Sequence, residues 1–121
     1  MGYKILICDD SAAIRQLVKL ILTTYEYEVI EADDGLQGLM LAEKHQFDLI
    51  ITDVNMPKMD GLKLVRKLRT LPKYQFTPIL LMTTDPDSQT KKEAKSAGAT
   101  GWIIKPFDPE KLVVAVRKVL R

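Results

Sequence analysis

The sequence predicts an α/β fold: one doubly wound sheet of five parallel strands, each followed by a helix. Three observations lead there. Short apolar runs and helix-spaced segments alternate five times along the chain. Four of the five runs carry Ile, Leu or Val with little alternation, as strands covered on both faces do. The 121 residues suffice for one core and are too few for two.

The strands are expected at residues 4–8, 28–32, 49–52, 79–82 and 101–104. Between them, apolar side chains recur at three- and four-residue spacing: Ile14, Leu17, Val18, Ile21 and Leu22 in the first helix, Leu36, Leu39 and Met40 in the second, Val65 and Leu68 in the third, and Leu112, Val113, Val116, Val119 and Leu120 in the fifth. Ser11 precedes the first helix as a cap. Asp34 precedes the second, with Gln37 three residues on, close to a capping-box pattern. Asp60-Gly61 opens the third and Asp108-Pro109 the fifth, with proline at the first helical position. Gly98 stops the fourth helix. That helix, over 88–97, has almost no large apolar side chain, so little buried area holds it down and it is the natural candidate for a moving element. Right-handed crossovers with helices on both faces require the strand order to reverse once. The order 2-1-3-4-5 of flavodoxin-like sheets is adopted, and ligands of such sheets sit at the carboxyl ends of the strands flanking the reversal.

No apolar run approaches the roughly 20 residues that span a bilayer, so no membrane insertion is expected. The start of the chain is not read as a leader, because its apolar run is short and ends at Asp9-Asp10. Cys8 is the lone cysteine, which excludes an intrachain disulfide and suits a reducing cytoplasm; it reads as a buried small hydrophobe. The net charge of +2 hides an asymmetry: residues 1–60 hold 5 Lys and Arg against 11 Asp and Glu, a net −6, while residues 61–121 hold 13 against 5, a net +8. The basic half suits an acidic partner surface. No long basic run with interleaved aromatics is present, so direct nucleic-acid binding is not expected. His45 is expected to be exposed, and Met56 and Met59 to serve packing.

The strand ends carry the chemistry. Strand 1 runs into Asp9-Asp10, strand 3 into Asp53, strand 4 into Thr83 and strand 5 into Lys105. In the adopted order these four strands are neighbours and their ends converge. Each residue alone has an ordinary explanation: an Asp that caps the next helix, a strand Thr, a surface Lys. Together they make three carboxylates, a hydroxyl and an ammonium. Clustered carboxylates repel one another, and a hard divalent cation such as Mg²⁺ (or Mn²⁺) supplies the compensation. Cation and lysine would neutralise a phosphoryl group in transit, so that Asp53 attacks phosphorus and carries the product while Thr83 donates a hydrogen bond to a phosphoryl oxygen.

The blocks Ile5-Leu6-Ile7-Cys8-Asp9-Asp10-Ser11, Ile51-Thr52-Asp53-Val54-Asn55-Met56-Pro57-Lys58-Met59-Asp60-Gly61, Met82-Thr83-Thr84 and Ile104-Lys105-Pro106-Phe107 resemble, in order and spacing, the four signature blocks of response-regulator receiver domains. The resemblance covers essentially the whole chain, 1–121, as one receiver. The closest type is the single-domain, CheY-type chemotaxis regulator. It implies Asp53 as phosphoacceptor, Asp10 and Asp53 as direct Mg²⁺ ligands, and Asp9 as a ligand through water. It implies the Asn55 backbone carbonyl as completing that site, Thr83 as switch hydroxyl and Lys105 as phosphate-pairing lysine. It also implies a cis Lys105–Pro106 bond and Trp102 as the switch aromatic. The implied partners are a sensor histidine kinase and an output protein on the face of helix 4, strand 5 and helix 5. The chain is expected to be a monomer that catalyses only its own phosphorylation and dephosphorylation. Three positions depart from the pattern: Trp102 where Tyr or Phe is usual, Asp85 where the chemotaxis regulators carry Glu, and Pro86 next to it.

Three rival readings are weighed. A flavodoxin-like cofactor binder needs a neutral phosphate-cradling loop after strand 1, and Asp9-Asp10-Ser11 has the wrong charge. An aspartate-nucleophile phosphatase needs an added cap or substrate pocket. The third is a receiver module of a larger response regulator or hybrid kinase with a DNA-binding or enzymatic output.

Overall fold

Every apolar run forms a strand and every helix-spaced segment a helix. The structure, a computed structural model, describes residues 2–84 and 87–120, with the backbone alone at residue 88. The order is β1 (Lys4–Cys8), α1 (Ala12–Thr24), β2 (Glu28–Ala32), α2 (Gly35–Lys44), β3 (Leu49–Asp53), α3 (Gly61–Arg69), a 3-10 turn (Pro72–Tyr74), β4 (Ile79–Thr83), α4 (Ser88–Ala97), β5 (Gly101–Ile104) and α5 (Pro109–Leu120). The strands lie parallel in the order β2-β1-β3-β4-β5, as adopted from the fold type. β3 and β4 each run one residue further than expected, taking in Asp53 and Thr83.

Alternation along the strands divides the apolar side chains into two cores. Leu6, Cys8, Ile50, Ile79 and Leu81 face α2, α3 and α4, where Leu64, Val65 and Leu68 meet them. Ile5, Ile7, Leu49, Ile51, Leu80, Met82 and Ile103 face α1 and α5, against Val18, Leu22, Leu112 and Val116. Cys8 is fully buried, and that burial pushes its thiol well above the ordinary range, which makes it inert packing. Met56 and Met59 pack partly buried against the first core. Among the described residues no helix is long and apolar enough to cross a membrane.

Caps set the helix starts. The Ser11 hydroxyl accepts the Ile14 amide at 3.3 Å, and the carboxylates of Asp34 and Asp60 accept the amides of Gln37 and Lys63, both at 2.8 Å. Gln37 reaches back to the amide of Asp33, one residue before the cap, so the capping box is displaced by one position. Asp108 accepts the Glu110 amide at 2.9 Å ahead of α5.

α4 buries only the small side chains of Ala94 and Ala97 among its described residues. A buried Leu or Ile contributes about 1.5–3 kcal/mol, and α4 has none. Its end is fastened instead. Gly98, at φ 105°, closes a Schellman turn in which its amide donates to the Lys95 carbonyl and that of Ala99 to the Ala94 carbonyl. Arg69 at the end of α3 donates to the carbonyls of Gly98, Tyr74 and Thr77 at 3.0, 2.8 and 2.6 Å, tying together α3, α4 and the approach to β4.

The expectation for His45 is corrected: it is half-buried, with Nδ1 3.0 Å from the Lys4 ammonium and its ring against Phe47. The chain after α2 is drawn inward here by the Tyr74 hydroxyl, which lies 2.7 Å from the carbonyl oxygens of both Ala42 and His45.

Candidate functional site

Parallel strands put every carboxyl end at one edge of the sheet, so the polar residues that follow the apolar runs must meet there. Asp9, directly after β1, has no exposed surface. Its amide donates to the Ala32 carbonyl at 3.1 Å, its Oδ1 accepts the Ser11 amide at 2.9 Å and its Oδ2 accepts the Lys105 ammonium at 2.9 Å. Asp53 ends β3, buried, with Oδ1 at 3.2 Å from the Lys105 nitrogen. Asp10 is exposed beside them, and the three carboxylates offer oxygens that all lie within 4.8 Å of one another. Lys105 is placed by its own amide, which donates to the Thr83 carbonyl at 2.7 Å, and the Lys105–Pro106 bond is cis.

The electrostatics follow from this packing. Burial pushes the Asp53 carboxyl above its ordinary range, and the Asp9 carboxylate adds to the push, while the charge and hydrogen bond of Lys105 pull it partly back. Burial pulls the Lys105 ammonium down, but the hydrogen bond to Asp9 and the negative charges of Asp53 and Asp9 outweigh it and leave the group raised and charged. Lys105 thus pairs with two carboxylates, and a third, that of Asp10, lies beside them. The donors are all oxygen and the excess charge is negative, which fits a hard divalent cation of the Mg²⁺ or Mn²⁺ kind.

Thr83 is buried at the end of the neighbouring strand β4. It borders a narrow crevice with Val54, Leu81, Thr90, Lys91, Ala94 and Trp102 that has room for no more than about one water molecule. The Trp102 ring, 40% exposed, stands at the mouth with the Lys91 ammonium 5.0 Å from its centre. Asn55 lies exposed in the loop after β3. The structure therefore gathers Asp9, Asp10, Asp53 and Lys105 at one point and sets Thr83 and Trp102 next to each other one strand further on. Asp85 and Pro86 lie outside the described residues.

Three contributors escaped the sequence reading. The Arg15 guanidinium donates to the Asp9 carbonyl at 2.6 Å and to Glu31 Oε1 at 3.2 Å. The buried Thr52 hydroxyl donates to the Asp53 carbonyl at 3.0 Å. Gly61 packs its Cα on Asp53, where a Cβ would overlap the Asp53 carbonyl oxygen. All three act on backbone atoms, whose direction leaves no mark in a residue pattern; the glycine of Asp60-Gly61 was the one visible hint.

Residues 5–117 match the response regulator receiver domain family, and the chain belongs to it. It is a receiver domain of two-component signalling, the class that the fold and the carboxylate–lysine site define. Among solved structures it is similar to the chemotaxis response regulator CheY4 of Vibrio cholerae, at 47% identity and a TM-score of 0.96 over 99% of this chain and 100% of that one. It shares its fold, with a TM-score of 0.92 and 24% identity over 99% and 98% of the two chains, with the receiver domain of a sensor histidine kinase from Pseudomonas aeruginosa PAO1 that has magnesium coordinated in its active-site cleft. Among curated proteins it is 35% identical over all 121 residues to the transcriptional regulatory protein SrrA of Staphylococcus aureus, and the chain spans 49% of that protein's length.

Proposed function

We propose that residues 1–121 form one receiver that accepts a phosphoryl group on Asp53 from a phosphohistidine of a sensor histidine kinase. The Asp53 carboxylate oxygen bonds to phosphorus as the nitrogen–phosphorus bond of the donor breaks, and the imidazole leaves. The observation that carries this reading is the Lys105 ammonium held between Asp9 and Asp53, at 2.9 and 3.2 Å, beside a third carboxylate. Asp10, Asp53 and the Asn55 backbone carbonyl would hold Mg²⁺ (or Mn²⁺), with Asp9 acting through water; when bound, the ion supplies positive charge to the phosphoryl oxygens. Lys105 would meet the same developing charge with its ammonium. Water later attacks the aspartyl phosphate and restores the carboxylate, so the chain acts on itself and on no external substrate.

The phosphate draws the Thr83 hydroxyl toward it, and the Trp102 ring moves into the crevice that Thr83 and Leu81 line. The surface of α4, β5 and α5 changes, and an output protein binds one state better than the other. This is a population shift whose differential free energy comes from the phosphate. The chain works as a cytoplasmic monomer without direct contact to nucleic acid. Likeness to CheY4 over the full length of both chains supports a chemotaxis-type pathway.

Incubation with a small-molecule phosphodonor and Mg²⁺ tests the reading. One phosphate should be gained by mass, with a change in Trp102 fluorescence, and both should vanish in Asp53→Asn. Labelling that persists in that variant removes Asp53 from its role. The match to SrrA, about twice the length, supports the second reading, a receiver module of a larger regulator or hybrid kinase with a DNA-binding or enzymatic output. The size of the native polypeptide on an immunoblot of the source cells separates the two.

A further inference from the structure

We propose that Arg15 is a positioning residue that sets the direction in which Asp10 leaves β1, and thereby tunes the affinity of the acidic site for its divalent cation; this rests on the reading of the site given above. The Asp9 carboxylate is already fixed by Ser11 and Lys105, and its amide by Ala32. Asp10 is different: it is the exposed member of the three, so its own surroundings hold it least. What governs its carboxylate is where its Cα stands. The Asp9 carbonyl and the Asp10 amide belong to one planar peptide unit. Arg15 Nη1 takes that carbonyl at 2.6 Å, and so fixes the plane from which Asp10 departs.

The guanidinium is itself held. Its Nε donates to Glu31 Oε1 at 3.2 Å, and Lys19 lies 3.6 Å from the other Glu31 oxygen. Glu31 sits on β2 in register with Ile7 of β1, so the anchor is part of the sheet that carries Asp9. The side chains of Arg15 and Glu31 are 17% and 28% exposed, enough shielding to hold one geometry. Glu31 also balances the positive charge of Arg15. Outer partners of this kind typically change metal affinity by about 10-fold or more.

Charge and positioning predict opposite signs for one substitution, which makes the idea testable. Arg15→Met removes a cation near three carboxylates, so charge alone would tighten Mg²⁺. Positioning demands that it weaken. Isothermal titration of the full chain with Mg²⁺ should show Arg15→Met weaker by about 10-fold, and Arg15→Lys, which keeps one donor for the Asp9 carbonyl, between that variant and the wild type. With a small-molecule phosphodonor, half-saturation of Arg15→Met should need more Mg²⁺, while the rate at saturating Mg²⁺ returns to within about twofold of wild type. A circular-dichroism melt checks that the variant is folded. Should it not fold, Arg15→Gln and Arg15→Lys carry the test, each expected to bind Mg²⁺ more weakly than the wild type. Unchanged or tighter Mg²⁺ binding in a folded Arg15→Met, or in both substitutes, overturns the inference and leaves the phosphoacceptor reading intact. A wild-type chain that neither binds Mg²⁺ nor gains phosphate overturns that reading and this inference with it.

Discussion

Burial and the Asp9 carboxylate push Asp53 in one direction while Lys105 pulls it in the other, and the balance has a consequence for stability. A carboxyl raised in the folded state binds its proton more tightly there than in the unfolded chain. Stability therefore falls as pH rises from the ordinary carboxylate value through the raised one, and stays lower above it. In metal-free buffer Asp53→Asn should melt higher than the wild type at neutral pH, and the gain should shrink as pH drops below the ordinary carboxylate range. A gain independent of pH would contradict the assignment. Gly61 gives a second expectation. Its missing Cβ lets the start of α3 lie against the Asp53 carbonyl, so Gly61→Ala must move one backbone or the other. It should cost about 1–3 kcal/mol in denaturant unfolding and slow phosphorylation of Asp53. Asp9, Asp53 and Lys105 were legible in the sequence because their chemistry is in their side chains and their places follow from strand ends. Gly61 was read only as a helix start and Arg15 was passed over, since each acts on a carbonyl oxygen.

The helices and strands were legible because apolar spacing records them directly. The misses are informative. β3 and β4 were expected to end at residues 52 and 82, where the apolar runs stop, yet ladder pairing continues through Asp53 with Met82 and Thr83 with Ile104. The proposed phosphoacceptor and switch hydroxyl are thus held by sheet pairing and not by a loop. The 3-10 turn at Pro72–Tyr74 is too short to show a period. His45 was misplaced because only the long-range Tyr74 hydroxyl bends that segment inward. α4 shows what an element does without large buried side chains: its fastening passes to its end, through Gly98 and Arg69. Arg69→Met would leave the Gly98, Tyr74 and Thr77 carbonyls without their common donor. It should cost about 1–3 kcal/mol in urea unfolding and speed amide exchange in α4 more than in α1.

The strand order could not be read from spacing and came from the fold type; any single order reversal would have satisfied the pattern. Its effect reaches the whole molecule. Lys91 of α4 lines the Trp102 crevice, and Lys92 and Lys95 are exposed on the same helix, on the face proposed for the output protein. Changing all three to Glu should weaken an acidic partner by about 10-fold or more at low salt, read by surface plasmon resonance, with little effect on phosphorylation. Unchanged affinity would discard the acidic partner. The order also turns a difference along the chain into a difference across space. β2, β1 and β3 form one flank and β4 and β5 the other; Asp9, Asp10 and Asp53 gather at the ends of β1 and β3, while Lys92 and Lys95 stand exposed on α4, which packs beside β5. Two local fields of opposite sign thus stand on one molecule, one at the acidic cluster and one along α4. An approaching protein would be rotated before it touches, toward the acidic cluster or toward the lysines of α4 according to its own sign, and that guidance should fade with the Debye length as salt is added.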